Sequence, residues 1–183
     1  MSQEILSKLN TTHIEEISSS RNEPEWLKNY RKSSLSVYDS LPIETSPLYN
    51  KYTDAKKMDP EKVSLSTNTA ETVPAFLQKR LGELENEICI IQIGTNIHRI
   101  NLPDELKSKG LVISSISDAV QNNFELVKKA LEASNSSDDK FTALNNAAFN
   151  SGIFIHIPRN FILDKPIYFL TCLSEDGHST ISR

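Results

Sequence analysis

The order of apolar and polar positions gives the chain three successive styles. Residues 1–20 carry Ile5, Leu9, Ile14 and Ile17 at loose helical spacing, followed by Ser18, Ser19 and Ser20, which favour a break. This stretch reads as a short helix or a flexible arm. Residues 21–140 are mixed. Asn22 stands where a helix cap belongs, Glu23 and Glu25 suit a helix N-terminus, and Pro24 is tolerated in a first turn. Trp26, Tyr30, Val37 and Leu41 then fall near one helix face before the stop at Pro42. Pro42, Pro47, Pro60 and Pro74 interrupt any period in the next segment, which reads as an irregular connection holding Tyr49 and Tyr52. After it, Phe76, Leu77, Leu81 and Leu84 predict a short helix.

Strand signals begin with "ICIIQIGTNIHRINL". Ile88 to Ile93 is a β-rich apolar run, Gly94 to Asn96 marks a turn, and His98, Ile100 and Leu102 alternate, so a hairpin is expected. "GLVISSIS" predicts a strand running into a helix that carries Val120, Phe124, Val127 and Leu131, with Asp118 near its start and Lys128 and Lys129 near its end. The polar run "ASNSSDDK" closes it. Residues 141–183 change style again: a short helix at Phe141 to Ala148, then "GIFIHIP", "PIYFL" and "STIS" as strands. Strands without intervening helices argue against a doubly wound sheet and favour a sandwich, a barrel or a β-solenoid.

Composition narrows the function more than the fold. The 183 residues suffice for one domain or one and a half, and 38% hydrophobic content with a mean hydropathy of -0.38 leaves room for polar segments. Twenty Lys and Arg against 24 Asp and Glu leave a net charge of -4, without the basic field that phosphate backbones require, so nucleic acid is not an expected partner. The first twenty residues lack the apolar core of a signal peptide, and no run reaches the roughly 18 apolar residues of a membrane span. The expectation is a cytoplasmic protein or one of an organelle interior. With five glycines there is neither a Gly-x-Gly-x-x-Gly turn nor a Gly-x-x-x-x-Gly-Lys loop, so nucleotide chemistry would have to come from a partner. His-Glu-x-x-His, Cys-x-x-Cys and Gly-x-Ser-x-Gly patterns are also absent.

Cys172 and His178 form the most suggestive metal-ligand pair, with Glu175 and Asp176 between them, because thiolate and imidazole both bind iron or zinc. Two ligands do not close a site, and the competing reading makes Cys172 the end of a strand and "SEDGH" a solvated turn. His156, opposite the Ile153, Ile155 and Ile157 face, and His98 in the hairpin read as ordinary strand histidines, with a ligand or proton-carrier role as the alternative. Cys89 inside "ICII" reads as core. Trp26 and Tyr30 read as core packing rather than as an anchor for another protein.

Two stretches resemble a known family. "NEPEWLKNYRKSSLSVYDSLPIE", Asn22 to Glu44, is similar to the N-terminal signature of the SufB/SufD scaffold proteins of iron-sulfur cluster assembly: Glu-Pro-x-Trp, an Arg several residues on, then Leu-Pro. Ser33 and Ser34 depart from it, standing where small apolar residues are frequent. "FTALNNAAFNSGIFIHIPRNFILDKPIYF", Phe141 to Phe169, resembles the family's entry into its core. The order of the hairpin and of "LVISSISDAV" is closer to SufD than to SufB. The resemblance implies an α+β to mainly β fold, in which a helical and α/β region at 21–140 leads into a right-handed parallel β-helix whose first rungs are 141–183. About two rungs fit, so the chain is expected to be the front of a longer scaffold. It further implies a non-enzymatic subunit acting with SufB-like and SufC-like partners. Iron-sulfur cluster and ATP would belong to the complex and not to this segment. No position matches the family's cluster-assembly residues or SufC-docking surface, so no catalytic residue is assigned. An exposed β edge is expected to promote self-association, including a homo-oligomer. The alternatives are a small metal-binding or redox protein using Cys172 and His178, or a β-solenoid interaction module unrelated to iron.

Overall fold

The computed structural model describes residues 9–42, 64–65, 73–133, 139–173 and 178–183. Ile5, Tyr49, Tyr52, Glu175, Asp176 and most of the proline-broken connection lie outside them. Helix α1, Thr11–Ser20, is capped by Asn10, whose side chain accepts from His13 N at 3.2 Å. It runs through the serine triplet, and Asn22 then turns the chain with a positive φ of 50°. Asn22 therefore does not cap α2, Glu25–Ser40, which starts after Pro24 without a side-chain cap.

The buried stripe of α2 is Leu27, Arg31, Ser34 and Leu35, one helical face with a guanidinium in the middle. Ser34, which departs from the family signature, is thus interior, whereas Ser33 is exposed. Trp26 and Tyr30 flank the stripe. Trp26 meets Phe124 edge-on at 5.5 Å, and the Tyr30 hydroxyl donates to Leu131 O at 3.1 Å, so both aromatics pack inside the molecule.

Helix α7, Lys140–Ala148, packs along α2. Asp139 caps it by accepting from Phe141 N and Thr142 N at 2.8 and 2.9 Å. Small residues Ala143, Ala147 and Ala148, all fully buried, let the two helices approach. Lys140 Nζ reaches back to donate to Tyr38 O and Leu41 O at 2.6 and 2.8 Å, closing the last turn of α2. One core then forms from Leu9, Ile14, Leu35, Leu144, Ala147 and Ala148.

Strand β1, Ser64–Leu65, is followed by α3, Ala75–Glu83. Strands β2, Cys89–Ile93, and β3, Asn96–Asn101, form the expected antiparallel hairpin, with a register shift between Ile91 and Gln92. Gly94 turns it with φ 60°, a left-handed conformation that glycine adopts without steric cost. Strand β2 is buried on both faces, which explains why its sequence is apolar on both, apart from Gln92, instead of alternating. Ile88 and Ile90 meet Leu102, Leu111 and Ile113, while Cys89, Ile91 and Ile93 meet Leu84.

After the short α4, Asp104–Ser108, come β4, Val112–Ser115, and α5, Ile116–Asn122. Ser115 caps α5, accepting from Asp118 N at 2.9 Å and donating to its carboxylate at 2.6 Å. The single helix expected through Val120 and Leu131 is two: Asn123 leaves helical geometry at φ -131°, ψ 36°, and α6, Phe124–Glu132, starts there. An Asn-Asn pair suits such a break, because asparagine side chains compete for backbone hydrogen bonds.

The region expected to open a parallel β-helix does not form one. Strand β5, Ile153–His156, pairs antiparallel with β4, and β6, Tyr168–Cys172, pairs parallel with β2. Strand β7, His178–Ser179, pairs with β1. The described strands thus make small separate sheets, of order β3-β2-β6, β4-β5 and β1-β7, in a mixed helical and sheet fold. The physical reason is that β2 and β4 each offer a pairing edge and an apolar face. The late strands complete earlier sheets instead of stacking on one another, as a solenoid's nearest-neighbour repeats must. The parallel contact between Ser151 and Ser182 is an isolated bridge. There Ile153 N donates to Arg183 O at 2.9 Å, so close to Gly152 that a Cβ at that position would strike the Arg183 backbone.

Candidate functional site

Cys172 ends β6, half-buried opposite Ile93, and its carbonyl accepts from Gly94 N at 2.8 Å. His178 opens β7 in a different sheet and is exposed. Glu175 and Asp176 lie outside the described residues. Among the described residues no group of three or more His, Cys, Asp and Glu is placed to hold a metal. His156 pairs with Val112 across β4 and β5, and His98 lies exposed on β3. Cys89 is fully buried, its thiol directed at Leu84 O at 3.6 Å. Cys172 and His178, the suggested pair, thus lie in different sheets, whereas Cys89 and His98 share the sheet of Cys172.

The charged residues of the first signature do converge. Arg31 is fully buried and Glu23 nearly so. Arg31 Nε and Nη2 donate to the two Glu23 oxygens at 2.8 and 2.7 Å, and Nη1 donates to Ala147 O at 3.0 Å. The guanidinium lies 3.7 Å from the centre of the Phe149 ring, and the Ser18 hydroxyl donates to Glu23 Oε2 at 3.0 Å. This bidentate pair ties the end of α1, the start of α2 and the end of α7 together. The sequence signal for it is a charge between Leu27 and Leu35 on an apolar stripe, which the aromatic pattern of the helix hides.

A second basic residue, Arg21, faces a cavity of about 570 Å³. The end of α1, Leu65 of β1, the β2–β3 turn at Thr95 to Ile97, the β4–α5 junction at Ser115 to Asp118, and Asn150 converge there. Arg21 Nη1 donates to Ser117 Oγ at 3.0 Å, and Nη2 donates to Asn150 O. Burial, and then the nearby Arg31 charge, push the Arg21 guanidinium below its ordinary pKa. Composition and periodicity give no sign of this cavity, since its lining comes from five separated parts of the chain.

On the other side a groove of about 160 Å³ runs between Ile90, Ile153, Ile155, Ile167 and Phe169. Ile155 and Phe169, which line the groove, are 43% and 50% exposed, Ile157 and Ile162 are 48% and 82% exposed, and Phe169 belongs to the edge strand β6. The Ile face of β5 is thus only partly used: Ile153 packs inward, while Ile155 and Ile157 look outward. No helix among the described residues is long and apolar enough to cross a membrane.

Comparison with known proteins places these features in a family. Residues 3–169 match the model of the SufBD protein N-terminal region. Over 170 residues the chain is 30% identical to an iron-sulfur cluster assembly SufBD family protein of Staphylococcus saprophyticus, and 29% identical to proteins of the same description in Staphylococcus aureus strains USA300 and NCTC 8325. Each alignment covers 84% of this chain and 36% of the relative, so the chain spans about a third of the length of these relatives. Glu23, Trp26 and Arg31 of the signature are residues that lock α2 in place. The chain belongs to the SufBD family, matching its N-terminal region.

Proposed function

We propose that this chain is a SufD-like, non-catalytic part of an iron-sulfur cluster assembly scaffold that works beside a SufB-like subunit and a SufC-like ATPase. The observation that carries the reading is the family match over residues 3–169. The use of the signature residues agrees with it: Glu23 and Arg31 are spent on a buried latch and Cys89 on the core, which is the chemistry of holding shape. Cluster and nucleotide are assigned to the complex, with ATP hydrolysis on the SufC-like subunit. The face of Ile155, Ile157 and Phe169, next to the edge strand β6, is the surface assigned to the SufB-like subunit, because an edge offers backbone groups and the patch offers apolar area. The metal or redox reading on Cys172 and His178 gains no third ligand among the described residues and is not preferred.

The test is affinity purification of the tagged protein from cells with SufB-type and SufC-type proteins, paired with depletion of the gene. Co-elution of the ATPase and a fall in iron-sulfur enzyme activity are expected. If the ATPase stays behind and those activities are unchanged, the reading is wrong.

A further inference from the structure

Arg21 and Arg31 differ in their partners. Arg31 is neutralised by Glu23, but Arg21 forms no ion pair among the described residues. A guanidinium has five N–H donors, and the two recorded contacts of Arg21 go to neutral oxygens. It is removed in part from water yet cannot give up its proton, so an anion brought to its free N–H groups would be bound more strongly than at an open surface. The carboxylate in the cavity, Asp118, accepts from the Ser115 hydroxyl at 2.6 Å and makes no ion pair with Arg21 among the described residues. The remainder of the lining supplies hydroxyls and amides together with the apolar Ile17, Leu65 and Ile97. About 570 Å³ lies within the range of roughly 300–1,000 Å³ that small-molecule sites occupy.

We propose that this cavity binds a small organic anion, a carboxylate or phosphate monoester, whose charged head takes the spare N–H groups of Arg21 and whose carbon chain lies against Ile17, Leu65 and Ile97. Recognition rests on the pairing of one desolvated cation with an apolar wall, so neither inorganic salts nor neutral alcohols satisfy it. The site is independent of the scaffold role and would stand without it.

The experiment titrates the full chain at low salt with hexanoate, hexyl phosphate and hexanol, following amide chemical shifts and binding heat. At least one of the two anions is expected to bind saturably, at least about tenfold more tightly than hexanol, a difference large enough to read directly. Which anion binds better decides between carboxylate and phosphate. Arg21→Gln should remove that preference. Should Arg21→Gln fail to fold, Asn96→Asp decides, because it adds a negative charge at an exposed turn position on the cavity rim and should weaken the anions while leaving hexanol unchanged. Equal binding of hexanol, no saturable binding of either anion, or anion binding unaffected by both substitutions overturns the proposal.

Discussion

Arg31 shows most directly how one residue's chemistry constrains the molecule. Its charge is buried, so its stability rests on the Glu23 carboxyl group paired with it. Glu23→Ala leaves an uncompensated guanidinium in the interior and is expected to cost about 3–5 kcal/mol, read as a lowered urea midpoint with an unchanged slope. Replacing both partners together by Leu and Met should cost much less, because the loss in the single variant is mostly the stranded charge. A cost for Glu23→Ala below about 1 kcal/mol, the scale of an exposed pair, would show that the latch is not buried. Asp139 gives the opposite case, an exposed carboxylate whose value is capping. The Thr142 hydroxyl, and then the Thr142 and Phe141 amides, hold its pKa below the ordinary carboxylate range, while partial burial works against them. A depressed folded value means stability that is fully present above the unfolded value of about 3.9 and lost as pH falls through the lower folded one. Asp139→Asn should therefore flatten the fall in melting temperature below about pH 4. An equally steep fall in the variant would place the acid sensitivity elsewhere.

Elements were legible where local chemistry was sufficient and obscure where a distant partner decided. The hairpin at Cys89 to Asn101 follows from an apolar run, a Gly turn and a return strand, and the step from β4 into α5 follows from the change of period after "GLVISSIS" and Asp118 near the helix start. The pairing of β5 and β6 did not follow. "GIFIHIP" and "PIYFL" have the composition of stacking strands, but what they pair with is set by the free edges of β4 and β2, more than 35 residues earlier in the chain. The break at Asn123 was hidden because Val120 and Val127 keep helical spacing across it while α5 and α6 bend to present both to one core. The Arg21 cavity had no sequence signal, since no local window contains its walls. The α2–α7 pair illustrates a contact made legible only by tertiary structure: Lys140, a first-turn residue of its own helix, serves as the C-terminal cation of another. Lys140→Ala removes two charge-assisted bonds from the last turn of α2 and is expected to lower stability by about 1–2 kcal/mol. Hydrogen exchange should accelerate at the end of α2 before it does in the hairpin. Uniform acceleration would mean that the two helices open as one unit with the sheets.

At the scale of the whole molecule, the exposed apolar residues on β5, on β6 and between them bear on how the protein behaves in solution. Ile155, Ile157, Ile162 and Phe169 are exposed within a short span of chain, and β6 borders them as an edge strand of its sheet. Edge strands template pairing, and apolar patches drive it, so the isolated chain is expected to self-associate as its concentration rises. Net charge opposes this only weakly, since -4 is spread over 183 residues. Ile155→Lys combined with Phe169→Glu places opposite charges in the patch without touching the buried faces of β2 and β4. The double variant should elute as a monomer at concentrations where the unmodified chain forms larger species, with its melting temperature unchanged within about 2 °C, as expected for surface substitutions. The same variant should lose co-elution with the proposed SufB-like subunit if one face serves both contacts. A monomeric unmodified chain at high concentration would remove self-association from the reading. If the double variant still captured the SufB-type subunit, the docking face would have to be sought elsewhere on the molecule.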